Sequence, residues 1–83
     1  MYIHLGADFQ VNIKDIIGIF DLDITSTNNK TGKFLENAEK SGILIEVDNE
    51  LPKSFIVSSK YNDTTVYLST LSSATLKRRI EIN

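Results

Sequence analysis

The sequence contains no cysteine, one histidine and one proline. Without cysteine the chain can form neither disulfides nor thiolate metal sites, a composition that suits the cytosol. A single histidine excludes a multi-histidine metal site within one chain. A chain of 83 residues buries only about 60–65% of its unfolded surface. We therefore expect one domain over residues 1–83 with a thin core, stabilised by self-association into a homo-oligomer.

Long apolar runs and glycine-rich phosphate loops are also missing. No apolar window is long enough to span a membrane, and the first ten residues lack the features of a signal peptide, so we expect a cytoplasmic protein without membrane contact. The four glycines are scattered and form neither a P-loop nor a dinucleotide fingerprint. Because no serine or cysteine nucleophile motif is present either, the sequence favours neither an enzyme nor a metal site.

The net charge of −2 hides a gradient along the chain. Residues 1–52 carry four lysines and nine carboxylates, a net of −5, whereas residues 53–83 carry five cations and two carboxylates, a net of +3. The acidic total argues against non-specific nucleic-acid binding by the overall field. The basic second part still allows a local nucleic-acid contact.

Hydrophobic alternation predicts a small, mainly antiparallel sheet. We expect strands over residues 2–5, 9–12, 15–24, 43–47, 55–59 and 65–69, the last two joined by a hairpin turn at 61–64. A helix is expected from about Asn28 to Ser41, with its cap among residues 25–28 and Gly42 as the C′ residue. The fold class is therefore α+β.

A short C-terminal helix completes the predicted fold. Ser72 or Ser73 caps this helix. After it, Ile80 and Ile82 alternate with polar residues, which predicts a further extended segment. Several of the predicted strands are apolar on both faces. Because one packed helix, with Phe34, Leu35 and Ala38 facing the sheet, cannot cover both faces, we expect another copy of the chain to cover the rest.

In the long third strand, alternation places Ile16 with Phe20 on one face and Ile17 with Asp21 on the other. Asp21 and Asp23 thus share a face, and such a carboxylate pair could hold a hard cation. The glycine and glutamate of an EF-hand are absent, so a solvated strand face is the favoured interpretation.

His4 lacks a nucleophile or carboxylate motif that would make it catalytic, so we interpret it as a structural or interface residue.

The segment SSATLKRR, Ser72–Arg79, holds a third of the lysines and arginines. At a helix C-terminus such cations complement the helix dipole, which is worth about 0.3–1 kcal/mol. Alternatively, they contact phosphates from a rigid element. One such cluster makes few contacts, but a cluster repeated around an oligomer becomes a basic track with strong avidity.

Several segments in order and spacing carry a family resemblance. MYIHLG, DIIGIFDLD, FLENAEKSGILIEVD, SFIV and VYLSTLSSATLKRR resemble the small Rem-type regulators of extracellular-matrix (biofilm) genes in Firmicutes, most closely the RemB branch. The resemblance covers nearly the whole chain. It implies a cytoplasmic transcription regulator that binds double-stranded DNA and has neither enzyme activity nor cofactor. Members of the RemA branch are ring-shaped oligomers that present repeated basic surfaces to DNA.

The resemblance points to four candidate DNA-backbone contacts, Lys53, Lys77, Arg78 and Arg79. Such contacts position a protein on DNA, and sequence choice then comes from DNA shape or bending.

Two departures from the RemA branch favour a second hypothesis. That branch has an arginine-rich connection between the two strands after the helix, where this chain has residues 48–53 with Leu51 and Pro52 in place of the arginine pair. It also has an arginine before the long strand, where this chain has Asp15. The second hypothesis is an oligomeric protein-interaction module of the same fold that has lost DNA binding and pairs with another regulator protein.

Overall fold

The computed structural model describes residues 1–22 and 29–82. Its strands and α-helices are β1 (Tyr2–Gly6), β2 (Phe9–Asn12), β3 (Ile16–Asp21), α1 (Asn29–Lys40), β4 (Leu44–Glu46), β5 (Ser54–Lys60), β6 (Asp63–Ser69) and α2 (Ser73–Ile82). β1 and β2 form an antiparallel hairpin. The other strands form a sheet in the order β3-β5-β6-β4, in which only the β4–β6 pair is parallel. The α+β class and the mainly antiparallel pairing are confirmed.

The four-stranded sheet carries a hydrophobic core on each face. On the hairpin side, the buried side chains come from the β1–β2 hairpin, the β4–β5 connection, β5 and α2: Ile3, Leu5, Val11, Val47, Ile56 and Leu76. On the α1 side, Ala38, Phe55 and Val66 are buried. Phe55 and Ile56 therefore serve opposite cores, because successive side chains of a strand point to opposite faces.

The chain itself covers both faces of this sheet. The β1–β2 hairpin and α2 pack on the face opposite α1, so that Leu5 and Leu76 are fully buried. We expected a second copy to cover the part of the sheet that one packed helix leaves exposed; on the face opposite α1, α2 and the hairpin provide that cover. Self-association itself stays a prediction.

The C-terminus of α1 has the capped turn that the sequence predicts. Gly42 adopts a φ of 75°, its N–H donates to the Glu39 carbonyl at 3.1 Å, and the Ile43 N–H donates to the Ala38 carbonyl at 3.0 Å. These two bonds form a Schellman motif, which satisfies carbonyls at the helix end. The predicted cap among residues 25–28 lies outside the described residues.

A β-bulge in β3 corrects the predicted alternation of that strand. Gly18 pairs with Val57 and Ile16 with Ser58, so Ile17 is the extra residue. Consequently Ile16 packs with the hairpin-side core, whereas Ile17 lies beside Phe20 on the α1 side. Asp21 contacts α2 on the hairpin side, so the predicted sharing of a face by Ile17 and Asp21 is wrong.

Two strands also have bounds that differ from the predicted ones. Residue 15 belongs to a one-turn 3-10 helix, Ile13–Asp15, in which the Asn12 side chain accepts a bond of 3.1 Å from the Lys14 N–H. β4 is shorter than residues 43–47, although the Val47 N–H still donates to the Leu68 carbonyl at 3.0 Å.

The extended segment predicted after α2 is wrong, because the helix continues to Ile82. Ser72 is the N-cap: its hydroxyl oxygen accepts from the Thr75 N–H at 3.1 Å. Ile80 lies one turn after Leu76 and packs on the same core, so the alternation of Ile80 and Ile82 reflects part of a helical period. No helix within the described ranges is long and apolar enough to cross a membrane.

Candidate nucleic-acid interface

Three consecutive cations project from α2 into solvent. Lys77, Arg78 and Arg79 are all exposed, while Leu76 and Ile80 on the same helix face the core. With about 100° between successive residues, Arg78 lies nearly opposite the core and the other two cations lie on the flanks. The cluster therefore spreads around the outer half of the helix and forms no single stripe. Because α2 continues to Ile82, only Arg79 belongs to its last turn.

Arg79 contacts the β1–β2 hairpin. Its Nη1 donates to the His4 carbonyl oxygen at 3.3 Å, and the His4 ring lies 3.3 Å from the Gln10 amide nitrogen. A shallow groove of about 350 Å³ follows this contact, with Tyr2 and Ile82 also in its lining. Arg79 thus lies beside the Tyr2 ring and the polar side chains of His4 and Gln10, which are about 70 residues or more away from it in the sequence.

Buried serines hold α2 in place. The Ser54 hydroxyl donates to the Leu71 carbonyl at 2.7 Å, and the Ser73 hydroxyl, at the start of α2, donates to the Asp21 carboxylate. A carboxylate at a helix N-terminus also complements the helix dipole. The cations of α2 are consequently presented from an element fixed at its beginning and packed along its length.

Lys53 lies apart from the three cations of α2. Its N–H donates to the Ser69 carbonyl at 2.8 Å and its carbonyl accepts from the Leu22 N–H at 2.9 Å, so its backbone is held just before β5. That position is close to the start of α2, whereas Lys77 and Arg79 lie about 6 and 9 Å further along the helix axis from Ser73. The four candidate residues therefore form two groups.

The sequence did not indicate one further cation of interest, Lys60. The Lys60 ammonium lies 5.7 Å from the ring centre of Tyr61, and Tyr61 and Asn62 take φ values of 51° and 69° in the β5–β6 turn. A second groove, of about 470 Å³, joins this pair to Tyr2 and Gln10. A single lysine in a hairpin carries no sequence signal, because only the fold brings it near the β1–β2 hairpin.

The acidic residues do not form a metal site in the part of the chain that the structure describes. Asp21 accepts a hydrogen bond from Ser73, and Asp23 lies outside the described residues. In the β4–β5 connection Asp48, Glu50 and Leu51 are all exposed.

The comparison with known families defines the class of protein. The family described as "Extracellular matrix regulatory protein A-like" (RemA-like) matches residues 2–80, and the chain belongs to this family. Its description is that of a regulatory protein.

A named relative narrows the placement. The chain is 41% identical over 81 residues to "Extracellular matrix regulatory protein B" of Bacillus subtilis (strain 168), an alignment that covers 98% of this chain and 91% of that protein. The resemblance to the RemB branch of the Rem-type regulators is thereby confirmed.

Proposed function

We propose that this protein is an oligomeric, cytoplasmic DNA-binding regulator of the transcription of extracellular-matrix (biofilm) genes. Family membership and the similarity to extracellular matrix regulatory protein B support the regulatory role. The observation that carries the DNA-binding part is the exposure of Lys77, Arg78 and Arg79 on a capped helix packed against the core.

In this proposal the cations of α2 contact phosphates of double-stranded DNA. Arg78 points outward and Arg79 is oriented by the His4 carbonyl, so a rigid helix presents both guanidinium groups, which suits phosphate binding. Lys53 adds a contact near the start of α2. One copy makes few such contacts, and self-association supplies affinity by repeating them along the duplex. Backbone contacts position the protein, and DNA shape supplies the sequence preference.

The test is a fluorescence-anisotropy titration of labelled matrix-gene promoter duplex at several salt concentrations. We expect tight binding that weakens steeply with salt, and at least about a tenfold loss of affinity in the Lys77→Ala/Arg78→Ala/Arg79→Ala variant, with a salt slope reduced by about 0.9 for each phosphate that is no longer neutralised.

A matched control removes three exposed lysines elsewhere, at Lys14, Lys33 and Lys40. It changes the net charge equally, and we expect affinity close to that of the unmodified protein. Equal losses in both triple variants would mean that total charge and not α2 decides binding, and unchanged affinity in the α2 variant would contradict the proposal.

The β4–β5 connection favours one alternative function. Where a basic loop would contact DNA, this chain exposes Asp48, Glu50 and Leu51, which suits a protein partner better than a phosphate. The alternative is an oligomeric interaction module of the same fold that pairs with another regulator protein. Self-association without any duplex binding at low salt would favour it over DNA binding.

A further inference from the structure

An apolar groove lies between α1 and the edge strand β3. It encloses about 330 Å³, and its lining includes Ile17, Phe20, Lys30, Phe34 and Phe55. Three of these apolar side chains are exposed, with Ile17 66%, Phe20 46% and Phe34 41% accessible to solvent. Neighbouring large apolar side chains exposed in this way mark an interaction surface.

The aromatic walls of the groove are held in place. The Phe20 ring stacks on Phe55 with centroids 4.9 Å apart and planes at 20°, and the Phe34 ring lies 5.9 Å from the same ring. Phe20 also folds back over Gly18, where an added Cβ would come within 2.6 Å of the ring. A preformed aromatic surface of this kind loses little conformational entropy when it binds a partner.

A complementary surface lies at the opposite edge of the sheet. We call residues 48–52, between β4 and β5, the Leu51 loop. Leu51 is 69% exposed, and the exposed carboxylates Asp48 and Glu50 lie on the same loop. Pro52 restricts its backbone, and the Asp48 carboxylate accepts a bond of 2.7 Å from the Asn49 N–H. The loop thus offers an apolar side chain with acidic neighbours.

We propose that the α1–β3 groove of one copy binds the Leu51 loop of a second copy. Leu51 fills the apolar groove, and Asp48 and Glu50 approach the Lys30 side of its lining. This inference rests on the self-association in the proposed function and assigns the two surfaces that make it.

The loop cannot fill the groove of its own chain. Leu51 lies beside Leu68 and Glu46, on β6 and β4, which are two or three strand spacings from β3, a distance of about 10–14 Å. Because the two surfaces differ and lie at opposite edges, the contact is head-to-tail. Repetition of a head-to-tail contact produces a closed ring or a filament.

The test uses two variants with one damaged surface each. Ile17→Asp places an acid in the groove at a side chain that is 66% exposed, so folding is little affected, and Leu51→Asp adds charge to the loop. By light scattering after size-exclusion chromatography, we expect the unmodified chain to assemble and each variant to be monomeric. Mixed together, the variants should form a 1:1 heterodimer, because one intact groove and one intact loop remain.

The control is Ile82→Asp, at a side chain that is 78% exposed on the Arg79 side of the molecule. We expect this variant to assemble as the unmodified chain does. The inference is overturned if the unmodified chain is monomeric, if either single variant still assembles, or if the folded variants fail to form the heterodimer.

DNA titration separates this inference from the proposed function. Assembly through the two surfaces with no duplex binding would overturn DNA binding and leave the interface intact. Duplex binding by a protein whose assembly ignores Ile17→Asp and Leu51→Asp would overturn the interface alone.

Discussion

The hydroxyl of Ser69, at the end of β6, donates a hydrogen bond of 2.6 Å to the Leu5 carbonyl in β1. The same oxygen accepts a bond of 3.0 Å from the Leu71 N–H, and Ser69 is completely buried. One side chain therefore satisfies a buried carbonyl of the β1–β2 hairpin and an N–H of the connection to α2. This link sets the hairpin that carries His4 beside the helix that carries Arg79.

Removal of this hydroxyl should weaken the fold. Ser69→Ala leaves the Leu5 carbonyl and the Leu71 N–H without their side-chain partner, and we expect the free energy of unfolding in urea to fall by about 1–3 kcal/mol. Ser59→Ala, at a half-buried serine of β5, should change it by less than about 0.5 kcal/mol. Equal stability of the two variants would show that the Ser69 bond contributes nothing.

Two glycines of the α1 region should respond in opposite directions to alanine. Gly32 lies within α1 with open space around its Cα, so Gly32→Ala should stabilise the protein by about 0.5–1 kcal/mol. Gly42 has a φ of 75°, where an L side chain is strained, and Gly42→Ala should cost about 1–2 kcal/mol. Thermal and urea unfolding of both variants measure this, and a change of the same sign in both contradicts the capped-turn explanation.

Gly18→Ala should disturb the aromatic wall of the α1–β3 groove. A Cβ at this position would meet the Phe20 ring at 2.6 Å, so the ring must leave its stack on Phe55. We expect a loss of about 1–2 kcal/mol, within the range of overpacking, together with altered ring-proton shifts of Phe55 by NMR. Unchanged Phe55 shifts would mean that Phe20 does not rest on Gly18 in solution.

Arg78 and Arg79 should separate affinity from stability. Arg78→Ala removes an outward-facing charge, and we expect a weaker duplex complex at unchanged stability, with a salt slope lower by about 0.9 for each phosphate that Arg78 neutralises. Arg78→Lys keeps the charge and should keep the slope. Arg79→Ala also removes the bond to His4 and should lower both affinity and stability. If the Arg78→Ala variant binds duplex with the same salt slope as the unmodified protein, Arg78 contacts no phosphate, which contradicts the orientation proposed for α2.

Much of the fold could be predicted because its signals are local. The alternation of residues 55–59 and 65–69, the turn between them and the Gly42 cap depend on neighbouring residues, and each is found in the structure. Charge and exposure of Lys77–Arg79 could also be anticipated, since a charged cluster on an amphipathic helix faces water.

The candidate site was less predictable because it depends on distant parts of the chain. Arg79 and His4 are 75 residues apart in sequence, and no local pattern indicates that β1 lies against α2. The same holds for Lys60, because only the fold brings the end of β5 and Tyr2 of β1 into one groove.

The sequence by itself determined the α+β class, the α1 helix with its capped end and the family, because periodicity, turn residues and ordered segments are written along the chain. Only the tertiary structure decided the bulge at Ile17, the continuation of α2 to Ile82 and the covering of both sheet faces. Each of these is set by packing against elements that are remote in sequence. The pairing of β3 with β5 leaves Ile17 as the bulged residue. Contact with the hairpin-side core favours the helical conformation at Ile80.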